Sequence, residues 1–183
     1  MTRLAVLASG SGTILESMVA TDLAVDVVIA DRPCRALERA AGAGIEAVLV
    51  PRSSFGTDFD RPAYTADVVD ALRARGVDVV AMAGFMTVLA PAMFDVYGGR
   101  VLNTHPSLLP AFPGAHAVRE AIAFGVKLTG CTVHLATERM DHGPILAQQA
   151  VPVLPDDTEA SLHERIKAVE RNLYPKVLKE FLA

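Results

Sequence analysis

A chain of 183 residues, 51% hydrophobic and 21% charged, has the composition of a folded domain with a sizeable core and not of a disordered segment. Its formal net charge of −4 and the lack of a long basic run argue against a broad nucleic-acid surface. A small phosphorylated ligand stays open, because backbone N–H groups bind phosphate without net positive charge.

The opening apolar run stops at Ser9-Gly10-Ser11-Gly12. It is too short to span a membrane and lacks the form of a secretory signal. Cys34 and Cys131 show no CxxC spacing and read as reduced, buried thiols of a cytoplasmic protein. Leu4 to Ala8 reads as a first strand ending in the Gly-Ser turn, after which Thr13 caps a helix to about Ala20. Val25 to Ala30 is a second apolar run. Pro33 opens an Ala-, Leu- and Glu-rich helix that Gly42 and Gly44 end, and Ile45 to Val50 reads as a third strand. Asp58 to Arg75 has helical periodicity in Ala63, Val68, Val69 and Leu72. Gly76 stops it, Val77 to Ala81 is a fourth run and Val101 to Asn103 a short fifth. Apolar runs without in/out alternation, separated by amphipathic segments, predict βα units in a doubly wound, mostly parallel α/β sheet covered on both faces.

The last third differs. Leu128 to Ala136 alternates in part, and Ile145 to Val153 is another extended run. The loop between them suits an antiparallel strand pair better than a βαβ crossover. Asp157 or Thr158 starts a helix with Leu162, Ile166, Val169 and Leu173 at helical spacing, which Pro175 either kinks or restarts. No linker interrupts the chain, so residues 1–183 read as a single domain.

Three segments carry chemistry. Ser9-Gly10-Ser11-Gly12-Thr13 lies between a strand and a helix, where glycines let N–H groups approach an anion at a helix N-terminus. It also reads as a plain tight turn, or as a dinucleotide fingerprint with Asp31 further on, although Leu15 stands at the third glycine position. In Asn103-Thr104-His105-Pro106, an extended backbone points Asn103 and His105 to one side. There an amide and an imidazole can stabilise an oxyanion and manage a proton, or can merely cap a strand end. Asp141 is either an ordinary turn residue or a carboxylate that orients His105. His105, His116, His134, Asp141 and His142 have no tight zinc-ligand spacing such as HExxH, so no metal site is expected.

Together, Ser9-Gly10-Ser11-Gly12-Thr13, Ala83-Gly84-Phe85-Met86, Asn103-Thr104-His105-Pro106-Ser107-Leu108-Leu109-Pro110, Phe112-Pro113-Gly114, Gly130-Cys131-Thr132-Val133-His134 and Asp141-His142-Gly143-Pro144-Ile145 resemble the folate-dependent formyltransferase superfamily over nearly the whole chain. Pro113-Gly114 and the compact length favour the branch that acts on glycinamide ribonucleotide. The resemblance implies a Rossmann-like formyltransferase fold. It implies an enzyme that moves a formyl group from 10-formyltetrahydrofolate to the amine of N1-(5-phospho-β-D-ribosyl)glycinamide in de novo purine synthesis. Its partners would be these small molecules, with no metal, nucleic acid or membrane, and a homodimer is compatible with it.

The resemblance further implies catalysis by Asn103, His105 and Asp141, and substrate or phosphate binding by Gly12, Thr13, Ile14 and Glu170. Folate binding falls to Arg61, Met86, Thr87, Val88, Leu89, Asn103, Thr137, Glu138, Arg139, Met140 and Asp141, with Thr132 and His134 as support from a neighbouring strand. Three positions depart from the usual pattern. Ile14 stands where members often carry Asn and offers only its backbone, Thr87 stands where many carry Arg, and His142 where glycine is common. A formyltetrahydrofolate hydrolase would share the trio with water as acceptor. Such hydrolases usually carry an additional N-terminal domain, whereas this chain opens on its first strand. A non-catalytic nucleotide-binding module would account for the glycine turn but not for the trio.

Overall fold

The computed structural model describes residues 2–183; Met1, the first residue of the single domain expected above, lies outside the described residues. In chain order the elements are β1 (Leu4–Ala8), α1 (Thr13–Ala20), β2 (Val27–Ala30), α2 (Arg35–Gly42), β3 (Glu46–Leu49), α3 (Arg61–Arg73), β4 (Val79–Met82), α4 (Pro91–Tyr97), β5 (Val101–His105), α5 (Ala117–Phe124), β6 (Leu128–Leu135), β7 (Ile145–Pro152) and α6 (Glu159–Leu182). The strands form one seven-stranded sheet in the order β3-β2-β1-β4-β5-β6-β7.

The chain divides into two compact units, one ending at Leu102 and one running from Asn103 to Ala183. In the first, β1 pairs in parallel with β2 (Ala5 beside Val27) and with β4 (Leu4 beside Val79), and β2 pairs in parallel with β3. Every residue of β1 and β2 is buried. That is why these strands are continuous apolar runs: a parallel sheet covered on both faces has no solvated side on which to place polar residues. The edge strand β3 is mostly exposed. Strand order reverses between β1 and β4, and the crevice at the carboxyl ends of such a pair is where open α/β sheets take ligands.

In the second unit β6 and β7 are antiparallel, with Thr132 beside Gln148. Val118, Cys131, Val151, Leu162 and Ile166 form its core, with Val169 and Leu173 packed against it. Burial pushes the Cys131 thiol up to about 12, which keeps it protonated and inert. Thr158 caps α6 by a capping box: Ser161 N–H donates to Thr158 Oγ1 at 3.1 Å and Thr158 N–H to Ser161 Oγ at 3.0 Å. The helix runs on through Pro175.

Two helices lie outside the sequence reading. α4 begins on Pro91 and stops before Gly98, and α5 ends at Gly125 in the left-handed region (φ 81°). Both have the punctuation of a short helix but span only seven and eight residues, too few for periodicity to register. β5 continues two residues past Asn103, to His105.

Leu162 is fully buried in the second core. Leu162→Ala is expected to cost about 2–5 kcal/mol of stability, read as a lower denaturation midpoint in urea with an unchanged slope.

Candidate active site

In the first unit, Gly12 stands at the N-cap of α1 in the left-handed conformation (φ 71°), and no side chain caps the helix. A Cβ on Gly12 would lie 2.8 Å from the Ala36 Cα, so neither the backbone angle nor the space admits another residue. Glu16 N–H bonds back to Gly12 O at 3.0 Å. The N–H groups ahead of it in the first turn have no intrahelical acceptor, and an uncapped turn of this kind suits an anion. Ile14 is buried, which leaves its backbone as the only part able to reach a ligand. Ser9 ties this turn to the segment after β4: Ser9 N–H donates to Gly84 O at 3.1 Å and Met86 N–H to Ser9 Oγ at 2.8 Å.

From Met86 to Leu89 the chain alternates, with Met86 and Val88 exposed and Thr87 and Leu89 buried. The Thr87 hydroxyl donates to the buried Asp31 Oδ2 at 2.7 Å. Arg32 clasps the same carboxylate through Nε and Nη2, each at 2.9 Å. Burial raises the Asp31 carboxyl, but the hydrogen bonds from Arg32, Thr87 and Ser9 and the charge of Arg32 outweigh it and hold the group below the usual carboxylate range. Thr87 is therefore engaged inward. Arg61 opens α3 and is exposed.

In the second unit, Asn103 and His105 lie two apart on β5, hence on one side of the strand. His105 Nδ1 faces Asp141 Oδ2 at 3.4 Å and Nε2 meets the Phe112 carbonyl at 2.8 Å. Both ring nitrogens thus face acceptors, an arrangement in which only the doubly protonated ring donates twice. Asp141 sits in the left-handed region (φ 58°), which Asp tolerates. Its Oδ2 also accepts Gly114 N–H at 2.8 Å, and its Oδ1 lies 3.7 Å from His134 Nε2. His134 Nδ1 donates to Leu135 O at 3.0 Å, so in the neutral ring Nε2 is an acceptor, 3.4 Å from the Asn103 amide nitrogen. Burial lowers the His134 pKa, against smaller opposing effects of the Leu135 hydrogen bond and Asp141, so the neutral form is the resident one.

The loops around this group are fixed from beneath. Thr132 Oγ1 donates to Ser107 O at 2.7 Å and accepts from Leu109 N–H at 3.0 Å and from Gln148 Nε2 at 2.9 Å; Gln148 also donates to Leu109 O at 2.8 Å. Thr137, Glu138, Arg139 and Met140 are exposed and lead into Asp141, with Thr137 Oγ1 on Arg139 O at 3.0 Å. Gly143 closes that loop, where a Cβ would fall 1.7 Å from Leu135 O. Glu170, on the apolar side of α6, accepts from the Thr104 hydroxyl, and burial raises its carboxyl above the usual range. Among the described residues no group of three or more His, Cys, Asp or Glu is placed to hold a metal ion.

Residues 2–178 match the family model described as formyl transferase. The chain belongs to the formyl transferase family. The phosphoribosylglycinamide formyltransferase of Mycobacterium tuberculosis is 48% identical over 178 residues, covering 93% of this chain and 80% of that protein. That of Bacillus subtilis is 37% identical over 191 residues, covering 100% and 95%. The crystal structure of glycinamide ribonucleotide transformylase 1 from Symbiobacterium toebii superposes with a TM-score of 0.92 at 43% identity, covering 99% of this chain and 87% of that one.

In this formyl transferase the structure brings Asn103, His105 and Asp141 into one polar cluster with His134, and seats Glu170 on Thr104 within the same unit. Gly12, Thr13, Ile14, Arg61 and Met86 to Leu89 belong to the other unit. Gln148 escaped the sequence reading. The signal was its place in the strand pair, because the residue directly across from Thr132 can share that residue's hydroxyl.

A histidine held neutral by burial makes stability pH-dependent. The unfolded chain binds the proton below about pH 6.5 while the folded one resists it, so stability is full above that value and falls as pH drops beneath it. His163, also lowered chiefly by burial, acts in the same direction. Denaturation midpoints measured from about pH 8 down to about pH 5.5 are expected to decline less steeply in His134→Asn than in the unchanged chain.

Proposed function

We propose that this chain transfers the formyl group of 10-formyltetrahydrofolate to the amine of N1-(5-phospho-β-D-ribosyl)glycinamide. One observation carries the mechanism: beside the end of β5 an amide, two imidazoles and a carboxylate are linked in a chain of close approaches, Asn103 to His134 at 3.4 Å, His134 to Asp141 at 3.7 Å and Asp141 to His105 at 3.4 Å. The names of the similar proteins support the choice of acceptor.

The substrate amine attacks the formyl carbon, and negative charge grows on the formyl oxygen. Asn103 Nδ2 carries two N–H bonds. His134 Nε2 takes one, which orients the amide, and the other donates to the oxyanion. His105 Nε2–H is the second donor. The Phe112 carbonyl oxygen at 2.8 Å shows that this nitrogen accommodates a carbonyl-type acceptor, and the oxyanion takes its place. Asp141 holds the ring by Nδ1. The intermediate then collapses: the bond from the formyl carbon to the folate N10 breaks, and the proton lost by the attacking amine reaches N10 through Asp141 or a water beside it. The products are the N-formyl amide and tetrahydrofolate. In this reading the open turn at Gly12, Thr13 and Ile14 binds the phosphate, Glu170 contacts the acceptor substrate, and Arg61, Met86 to Leu89 and Thr137 to Asp141 bind the folate.

Purified protein is expected to formylate glycinamide ribonucleotide, with Asn103→Ala or His105→Ala lowering turnover by about 10²–10³ and Asp141→Asn also lowering it. Near-normal turnover in all three variants at saturating substrates would end this assignment of roles. Gly12→Ala meets both the positive φ and the 2.8 Å contact with Ala36. It is expected to raise KM for the phosphorylated acceptor more than for the donor, and equal effects on both would count against the phosphate role.

A further inference from the structure

The segment after β3 holds a second cluster that the reaction described above does not use. The Arg52 guanidinium carbon lies 3.8 Å from the ring centroid of Phe59 and 4.8 Å from that of Phe55. Arg32 lies 4.5 Å from the same Phe55 ring, which is 61% exposed. The two guanidinium groups differ in their charge partners. Arg32 spends Nε and Nη2 on Asp31, whose buried carboxylate neutralises it. Arg52 donates only to neutral acceptors, the Ser54 carbonyl (2.5 Å) and the Thr87 hydroxyl (3.5 Å). The nearby Asp58 carboxylate takes the Ser54 hydroxyl. No carboxylate pairs with Arg52 among the described residues.

A guanidinium packed over two rings loses freedom of orientation, and with Nε on the Ser54 carbonyl and Nη1 on Thr87, its Nη2 carries no partner among the described residues and is left to meet a carboxylate. Its contact with Thr87 places it beside the strip from which Met86 and Val88 project into solvent. An apolar strip ending at an unneutralised guanidinium suits a ligand with an aromatic body and a carboxylate tail. We infer that Arg52, stacked on Phe55 and Phe59, is an anion subsite that takes a carboxylate of the glutamyl tail of the formyl-folate donor. The inference rests on the donor proposed above. It also gives Thr87 a role: with its hydroxyl turned in to Asp31, it props Arg52 and contributes no charge itself.

The test compares three donors, 10-formyltetrahydropteroate without glutamate, the monoglutamate and the triglutamate, with the unchanged protein, Arg52→Gln and Arg52→Lys. Arg52→Gln is expected to raise KM for both glutamylated donors about tenfold, the scale of one hydrogen bond to a charged group. KM for the pteroate donor, KM for the acceptor and kcat should stay as they are. Arg52→Lys keeps the charge but loses the planar fork, and should fall between. A purely structural role for Arg52 would shift all three donors alike or none, and either result overturns the inference. The unchanged protein separates the two claims: if it transfers formyl from no donor, the proposed function fails; if it transfers and Arg52→Gln leaves donor discrimination intact, only the tail subsite fails.

Discussion

One carboxylate organises the second unit. Asp141 meets His105 and the Gly114 N–H through Oδ2 and lies near His134 through Oδ1. A buried carboxylate is costly unless its oxygens are engaged, so this contact set fixes where the Phe112–Gly114 loop, β6 and the loop before Gly143 stand. The two imidazoles are not equivalent. His134 has a carbonyl on one nitrogen and an amide N–H on the other, a pattern that the neutral ring satisfies. His105 has acceptors on both sides, a pattern for two donors. Two identical side chains therefore stand in different surroundings: one meets the Asn103 amide nitrogen, and the other is the one to which the proposed mechanism gives the developing negative charge.

The surrounding polar groups answer the same constraint. The Thr132 hydroxyl is fully used, donating once and accepting twice. It locks the loop that follows His105 to the strand pair beside it, and Gln148 from β7 closes the set. Such a network determines position more than it adds stability, because each member is expensive when unpaired and modest when paired. Placing Asn103 and His105 on a strand, with the next residues tied down, suits chemistry that tolerates little error in donor placement.

Much of this was legible in the sequence, for identifiable reasons. β1 and β2 are apolar throughout because both faces are covered, and the Gly12 turn is readable because a positive φ and a 2.8 Å approach leave only glycine. Asn103 and His105 were legible as a pair because a strand has period two. What could not be read is tertiary. Nothing in the sequence places the Phe112 carbonyl on His105, or Thr104 against Glu170 sixty-six positions away. Short α4 and α5 gave periodicity too little length, and the extension of β5 past Asn103 adds Thr104 and His105, which leave the apolar run by which the strand was legible even though threonine itself favours strands.

A protein of net charge −4 proposed to bind two anionic substrates must attract them locally. The two proposed anion sites do so in different ways. At Gly12 the donors are backbone N–H groups of an uncapped helix turn, which carry partial positive charge without a basic side chain. At Arg52 the donor is a full charge with no carboxylate paired to it among the described residues, the buried Asp31 being taken by Arg32 and Thr87. The division follows from the geometry available. A helix start can be brought against a compact phosphate, whereas a carboxylate on a flexible tail is better met by a side chain that reaches out and is stiffened by stacking. Net charge is thus a poor guide to what this surface binds, and the disposition of a few N–H groups is the better one.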